Sequence, residues 1–215
     1  DGTVVQTTFE DALLLFGPSG KGIWMPQDRL PPLSSDAQPM CAGEDRTLWV
    51  LLRQGVASYR RSEGWRIEQS ADGLPYRSFS SITCALDGSL WLGNPPLSFD
   101  QQRRGEAPSG TVRRRPDGRW QDLGQDLGLG VEGVSAIAAA ADGTVALVIV
   151  RPWMPGDTAA GPWIHSGLLL RRADGRLRRL SMEQLSAGEL RAQVYGPDGT
   201  LWLASERGVS RLDPG

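Results

Sequence analysis

Histidine is nearly absent from this chain of 215 residues, which carries one, and cysteine is scarce, at two. A single histidine excludes a multi-histidine metal or acid-base site, and no His-x-His, His-x-x-x-His or Cys-x-x-Cys pairing is present. Two cysteines, Cys41 and Cys84, make neither a disulfide framework nor a metal cluster; no metal and no cofactor is expected. A basic excess is missing as well. The formal net charge is -2, which gives no surface for displacing counterions from a nucleic acid, and no nucleic-acid partner is expected. Long apolar runs are also lacking: the longest, Val134 to Val150, is broken by Asp142-Gly143, so no membrane span is expected. No signal peptide opens the chain, but it starts at Asp1 without Met, and that absence assigns no compartment.

Turn formers are plentiful. Twenty-seven glycines and fifteen prolines favour many turns and short elements over long helices, and eight tryptophans are many for this length. The stretch "DGSLWLG" from Asp87 returns as "DGTLWLA" from Asp198, with looser copies elsewhere. Alignment on Val5, Trp49, Trp91, Ala146 and Trp202 gives steps of 44, 42, 55 and 56 residues. Each copy continues to a glycine that opens a second apolar stretch, at Gly55, Gly110, Gly167 and Gly208, with Asp11 in that slot of the first copy. Anchor and glycine are 6 residues apart after Trp49 and Trp202, but 19 after Trp91 and 21 after Ala146. Without those surpluses the period is about 42 residues throughout, a spacing of propeller arrays or helical solenoids.

Short apolar or alternating runs split by Asp-Gly decide for strands. One set of turns falls at Asp87-Gly88, Asp142-Gly143 and Asp198-Gly199, a second at Glu63-Gly64, Asp117-Gly118 and Asp174-Gly175. Asp-Gly predicts a tight type I′ hairpin. Two hairpins per repeat make four antiparallel strands, A to D, which is one propeller blade. The expected fold is therefore all-β: a single domain over residues 1–215, a β-propeller of four-stranded antiparallel blades with about four and a half repeats. The register runs B-C-D, three full sets, then A-B-C. This reads as a segment of a longer propeller; closure by another chain or by an unusual joint is the alternative.

"DGLP" at Asp72, an apolar strand some ten residues on, then "LDGSLWLG" resembles the two-component regulator propeller repeat. Asp72 to Gly93 matches nearly throughout and Asp198 to Leu212 in the second half of the pattern, whereas the copies at Asp1 and Asp142 lack the tryptophan. The resemblance implies an extracytoplasmic sensor region of a bacterial signalling protein, periplasmic or extracellular.

Trp49, Trp91 and Trp202 fall on strand B and Trp24, Trp65 and Trp120 at the start of strand D, which predicts packing between blades. Cys41 and Cys84 occupy one frame slot, if the turn at "AGED" is one residue longer, and read as small residues of the innermost strand without a disulfide. "GLGVEG" at Gly128 fits G-x-G-x-x-G but precedes a strand-like run, so it predicts a loop; "GPSGKG" at Gly17 misses the phosphate-loop spacing and reads as a hairpin turn. The arginines at 113–115 and 119, and at 171, 172, 176, 178 and 179, read as edge protection of strand D. "SMEQ" has capping-box spacing and predicts a short helix from Ser181 to Leu190.

Two insertions exceed the scaffold, residues 93–109 and 150–166, both in B-to-C connections of consecutive blades. In a meander these share one face and the Asp-Gly turns share the other, and long loops on one face of a rigid scaffold suit a binding surface. The candidate ligand residues are Trp153, Asp157, Trp163 and His165 on the second insertion, Asp100, Arg103 and Arg104 on the first, and Tyr76 and Arg77 in a D-to-A connection. Exposed aromatics beside such groups stack on sugars or anchor a partner; equally, the two tryptophans could clasp their own loop. The expected function is a non-catalytic module binding a small molecule, a glycan or a protein partner. The alternatives are a propeller lyase or lactonase with an oxygen-rich calcium site, and an assembly scaffold whose open edges pair with further blades or another subunit.

Overall fold

The computed structural model describes residues 4–7, 13–16, 22–25, 39–52, 55–69, 72–76, 79–104, 110–157, 163–185 and 188–213. Among the described residues, five antiparallel sheets follow one another along the chain. The first holds β1 (Val4–Thr7), β2 (Leu13–Phe16) and β3 (Gly22–Met25). The second holds β4 (Met40–Ala42), β5 (Leu48–Leu52), β6 (Gly55–Arg60) and β7 (Gly64–Glu68). The third holds β8 (Ser81–Cys84), β9 (Leu90–Gly93), β10 (Thr111–Arg114) and β11 (Trp120–Asp122), with the short helix α1 (Phe99–Arg103) between β9 and β10. The fourth holds β12 (Gly133–Ala139), β13 (Val145–Pro152), β14 (Trp163–Arg171) and β15 (Leu177–Ser181), and the fifth β16 (Leu190–Tyr195), β17 (Leu201–Ser205) and β18 (Gly208–Leu212). Strands are neighbours in chain order, and the sheets of three, four, four, four and three strands match the B-C-D to A-B-C register.

The Asp-Gly turns work differently from the expectation. Glycine takes positive φ at Gly88, Gly143 and Gly199 (78°, 83° and 78°), but no aspartate does, so these are not type I′ turns. Gly88 N–H donates to Ala85 O and Ala85 N–H to Ser89 O, a type I turn closed by one left-handed residue. Aspartate is there as an acceptor. In six turns its carboxylate takes the N–H two residues on, at 2.8–3.0 Å: Asp45, Asp87, Asp117, Asp142, Asp174 and Asp198. In the turn at Asp45 the left-handed position falls to Arg46, φ 63°.

Strand glycines have a steric cause. A methyl on Gly55 or on Gly167 would run into the carbonyl oxygen of strand D, Glu68 and Leu180 respectively, and one on Gly110 would meet the Tyr76 ring.

The core lies in the seams between consecutive blades, whose first strands β4, β8, β12 and β16 are neighbours. The pleat sends alternate residues to opposite faces. On β9, Leu90 and Leu92 pack back on Trp49 and Leu51 of the second blade, while Trp91, 2% exposed, packs forward with Val134, Val145 and Leu147 of the fourth. The fourth and fifth blades meet through Ala146, Val148, Leu168 and Leu203. "GLGVEG" is a loop, as expected: Leu127 and Leu129 are buried beside Trp91. "GPSGKG" lies outside the described residues.

Trp49 and Trp91 pack between blades, and Trp120 joins the Trp49 cluster. Trp202 does not. It lies on the face of the fifth sheet turned away from the fourth blade and is 42% exposed, together with exposed Val194 and Val209 on the same face. The expected helix after Ser181 is a single turn, since Ser181 and Gln184 exchange capping hydrogen bonds but Leu190 already opens β16.

The cysteine reading is overturned: Cys41 and Cys84 form a disulfide, Cα–Cα 5.6 Å. The register explains it. Cys41 pairs with Trp49, the anchor of its blade, whereas Cys84 pairs with Leu90, one residue before its anchor. The two turns have the same length, the cysteines are one frame position apart, and so they point to opposite faces of their strands and meet across the seam.

Three arginines read as edge protection turn into seams instead. Arg113 stands over Trp91 and Arg114 over Trp49, 5.5 and 5.1 Å from the ring centres. Arg171 stands over Trp91 from the other side of the seam, at 5.6 Å. Arg119 and Arg176 do remain exposed on the second-hairpin turns.

Candidate functional site

The second insertion is more ordered than a loop. β13 and β14 stay paired past the blade, through Val150 with His165, Arg151 with Ile164 and Pro152 with Trp163. A bulge at Ser166 bends the ribbon where it leaves the sheet; the Ser166 hydroxyl donates to Glu132 Oε1 at 2.8 Å, and Arg179 donates to the same carboxylate.

Beyond Pro152 the chain turns through Trp153 to Asp157. Asp157 N–H donates to Met154 O at 3.0 Å, and Met154 N–H donates to Asp157 Oδ2 at 2.7 Å. Arg151 clasps the Asp157 carboxylate with both arms at 2.8 Å. The Arg151 hydrogen bonds, then that from Met154 N–H, hold the Asp157 carboxyl down to about 2. Asp157 therefore holds the turn, and the large apolar side chains exposed among its described residues are Trp153, 37% exposed, and Met154, 43% exposed.

Trp163 is half-buried at the stem of this hairpin. His165 sits lower, its side chain 10% exposed and its Nδ1 4.0 Å from Glu189. Burial pushes its pKa below the ordinary value, although Glu189 pulls the other way. Arg191 bridges Glu189 and Glu206 beside it.

The first insertion starts by packing: Asn94 O accepts Val134 N–H at 2.8 Å, and Pro95 and Pro96 lie so close over Gly133 that no side chain fits there. Ser98 and Gln101 then exchange hydrogen bonds and start α1, which carries Asp100 in its first turn and Arg103 in its last; Asp100, Arg103 and Arg104 are exposed. Capping-box spacing, Ser98 to Gln101, was the signal in the sequence for this helix. Tyr76 belongs to a seam: its hydroxyl donates to Asp122 Oδ2 at 2.6 Å and its ring packs against Gly110. Arg77 lies outside the described residues. Trp153, Asp157, Trp163 and His165 thus share one hairpin, while Asp100, Arg103 and Arg104 occupy a separate element of the preceding blade.

No family model matches the chain, and no curated protein matches it in sequence. Solved structures do. Virginiamycin B lyase from Staphylococcus aureus aligns with TM-score 0.57 and 13% identity over 99% of this chain and 66% of its own. A gluconolactonase from Xanthomonas campestris aligns with TM-score 0.60 and 15% identity over 98% and 68%. The fold is a β-propeller. The extracellular domain of BT4673 from B. thetaiotaomicron, described as a one component system, shares it, with TM-score 0.60 and 14% identity over 97% of this chain and 25% of that one. The chain thus spans about two thirds of the first two propellers and a quarter of the third. At these identities the likeness is one of fold.

Proposed function

We propose that this propeller is a non-catalytic recognition module of an extracytoplasmic sensor, binding a glycan or a partner protein at the tip of the β13–β14 hairpin. The observation that carries the proposal is the tip itself: Trp153 and Met154 are exposed on a turn that Arg151 and Asp157 fix by two ion-paired hydrogen bonds. A turn whose backbone is fixed before binding loses little backbone freedom on binding, which suits the placement of anchor residues. Two further observations agree with it. The Cys41–Cys84 disulfide belongs in an oxidising compartment, and the extracellular domain described as that of a one component system has the same fold. The resemblance of Asp72 to Gly93 to the two-component regulator repeat points the same way.

The lyase or lactonase reading is weaker, because the one histidine, His165, is largely buried beside Glu189 and burial pushes its pKa down. The test is intrinsic fluorescence and calorimetry against an oligosaccharide panel and extracellular protein fractions, using the wild type and Trp153→Ala. Binding lost in Trp153→Ala with unchanged melting is the expected result. Binding that is equal in the two proteins removes the tip from the proposal.

A second reading has its own observation. Val194, Trp202 and Val209 form an exposed apolar sheet face equivalent to the faces that make the other seams. Such a face suits another blade, from further sequence or from another subunit. Solution mass by light scattering tests it: a monomer unaffected by Trp202→Lys argues against pairing between copies.

A further inference from the structure

On the face of the tight turns, opposite the hairpin tip, the third and fourth blades part into a cleft of about 430 Å³. That is the size of a small-molecule site. Trp91 is its floor, the turn of Leu86 and Asp87 forms one wall, and the turn of Ala141 to Gly143 with Ala173 forms the other. Alanines and a glycine leave the room; Leu86, half-exposed at the rim, supplies apolar surface.

Two guanidinium groups stand over one indole. Arg113 and Arg171 stand 5.5 and 5.6 Å from the centre of the same Trp91 ring, one from each blade. The carboxylates nearby are already turned to other donors. Asp87 Oδ1 accepts from Ser89 N–H and Oγ, and Oδ2 accepts one arm of Arg113 at 2.6 Å. Asp142 accepts from Thr144 N–H and Oγ1 at 2.8 and 3.0 Å. Arg113 Nε–H is buried without an acceptor, and Arg171 makes no ion pair with a described residue.

The repeat shows what is missing. Arg114 holds the same position in the third blade as Arg171 in the fourth, each opposite the residue before its anchor. Arg114 also stands over the anchor tryptophan of the blade before it, but Glu68 on strand D of that blade neutralises it with both oxygens. In the third blade the matching position on strand D is Leu123, buried and apolar. One seam supplies its own carboxylate, and the next has the Leu123 side chain in its place, so Arg171 has no such partner there.

We propose that this cleft binds a small organic carboxylate, its carboxyl group held by the Arg171 guanidinium and its apolar body lying against Leu86 and the alanines. A planar guanidinium fork matches a carboxylate in two parallel hydrogen bonds, and the half-apolar lining favours an organic acid over a bare inorganic anion. The site is separate from the hairpin tip and does not depend on it.

The test titrates benzoate and, separately, inorganic phosphate into the protein, read by calorimetry and by the indole N–H resonance of Trp91. Benzoate is expected to bind and to shift that resonance. Arg171→Gln should weaken it at least tenfold, and so should Ala141→Asp, which puts a negative charge on an exposed turn residue without touching the seam. Trp153→Ala should bind benzoate like the wild type. No benzoate binding, binding unchanged in both Arg171→Gln and Ala141→Asp, or phosphate bound as tightly as benzoate each overturns the proposal.

Discussion

Arg114 and Glu68 face each other across the seam of the second and third blades, Nε to Oε2 and Nη2 to Oε1, both at 3.0 Å. Glu68 is buried and also accepts Trp120 Nε1–H at 3.1 Å. Removing one member strands the other's charge. Glu68→Gln should destabilise the fold by about 3 kcal/mol, whereas replacing both residues by leucine should cost much less. Urea unfolding of the two variants decides; equal losses would mean that the seam depends on packing alone.

The Cys41–Cys84 bond closes a segment of 43 residues between neighbouring blades. Reduction, or Cys84→Ser, should lower stability by about 2–4 kcal/mol. Thiol alkylation before and after unfolding under non-reducing conditions checks the bond itself: no labelling in either is expected until a reductant is added.

Gly55 and Gly167 should be intolerant positions, and Gly208 less so. All three have positive φ (119°, 153° and 119°), but a methyl meets a strand-D carbonyl only at the first two. Gly55→Ala and Gly167→Ala should each cost on the order of 2 kcal/mol, and Gly208→Ala clearly less, from its backbone strain alone. Thermal melts of the three variants test the ranking.

The hairpin tip should loosen in acid. Asp157 has its pKa lowered from 3.8 to about 2, so its ionised form is the one the folded tip favours. Its contribution is complete above the ordinary carboxylate value and is lost as pH falls from there through about 2. The protection of the Met154 amide against exchange, relative to its intrinsic rate at each pH, should fall over that window. Arg151→Gln should move the onset up toward the ordinary carboxylate range and leave the global melting point unchanged.

His165 acts at higher pH. Burial lowers its folded pKa, so the unfolded chain takes up the proton first and stability falls as pH drops below the ordinary histidine value. Unfolding free energies between about pH 7.5 and 5.5 should show this slope, and His165→Gln should abolish it.

Strand order, hairpins and anchors were legible because period and pleat write them directly: Trp49, Trp91 and Gly167 each fall where the repeat puts them. The disulfide was hidden by one residue. Counting a longer turn at "AGED" made Cys41 and Cys84 equivalent, and equivalent residues point the same way around a propeller. The seam arginines were hidden for a related reason, since neighbouring residues of one basic run go to opposite faces: Arg113 looks forward and Arg114 back. In the second insertion, alternation and proline content said loop. The pairing of Arg151 with Asp157 depends on a hairpin register that composition does not reveal.

The alternation of Glu68 and Leu123 under otherwise matching arginines helps give each of the three joints among the described residues its own chemistry. One joint has an ion pair and a covalent bond, the next has two cations on one indole, and the third is aliphatic. Near-identical repeats run the hazard of stacking in the wrong sequence while folding. Here the second blade, docked on the wrong neighbour, would bury the Glu68 carboxylate without the Arg114 guanidinium, so the joint itself favours the native order of these two blades.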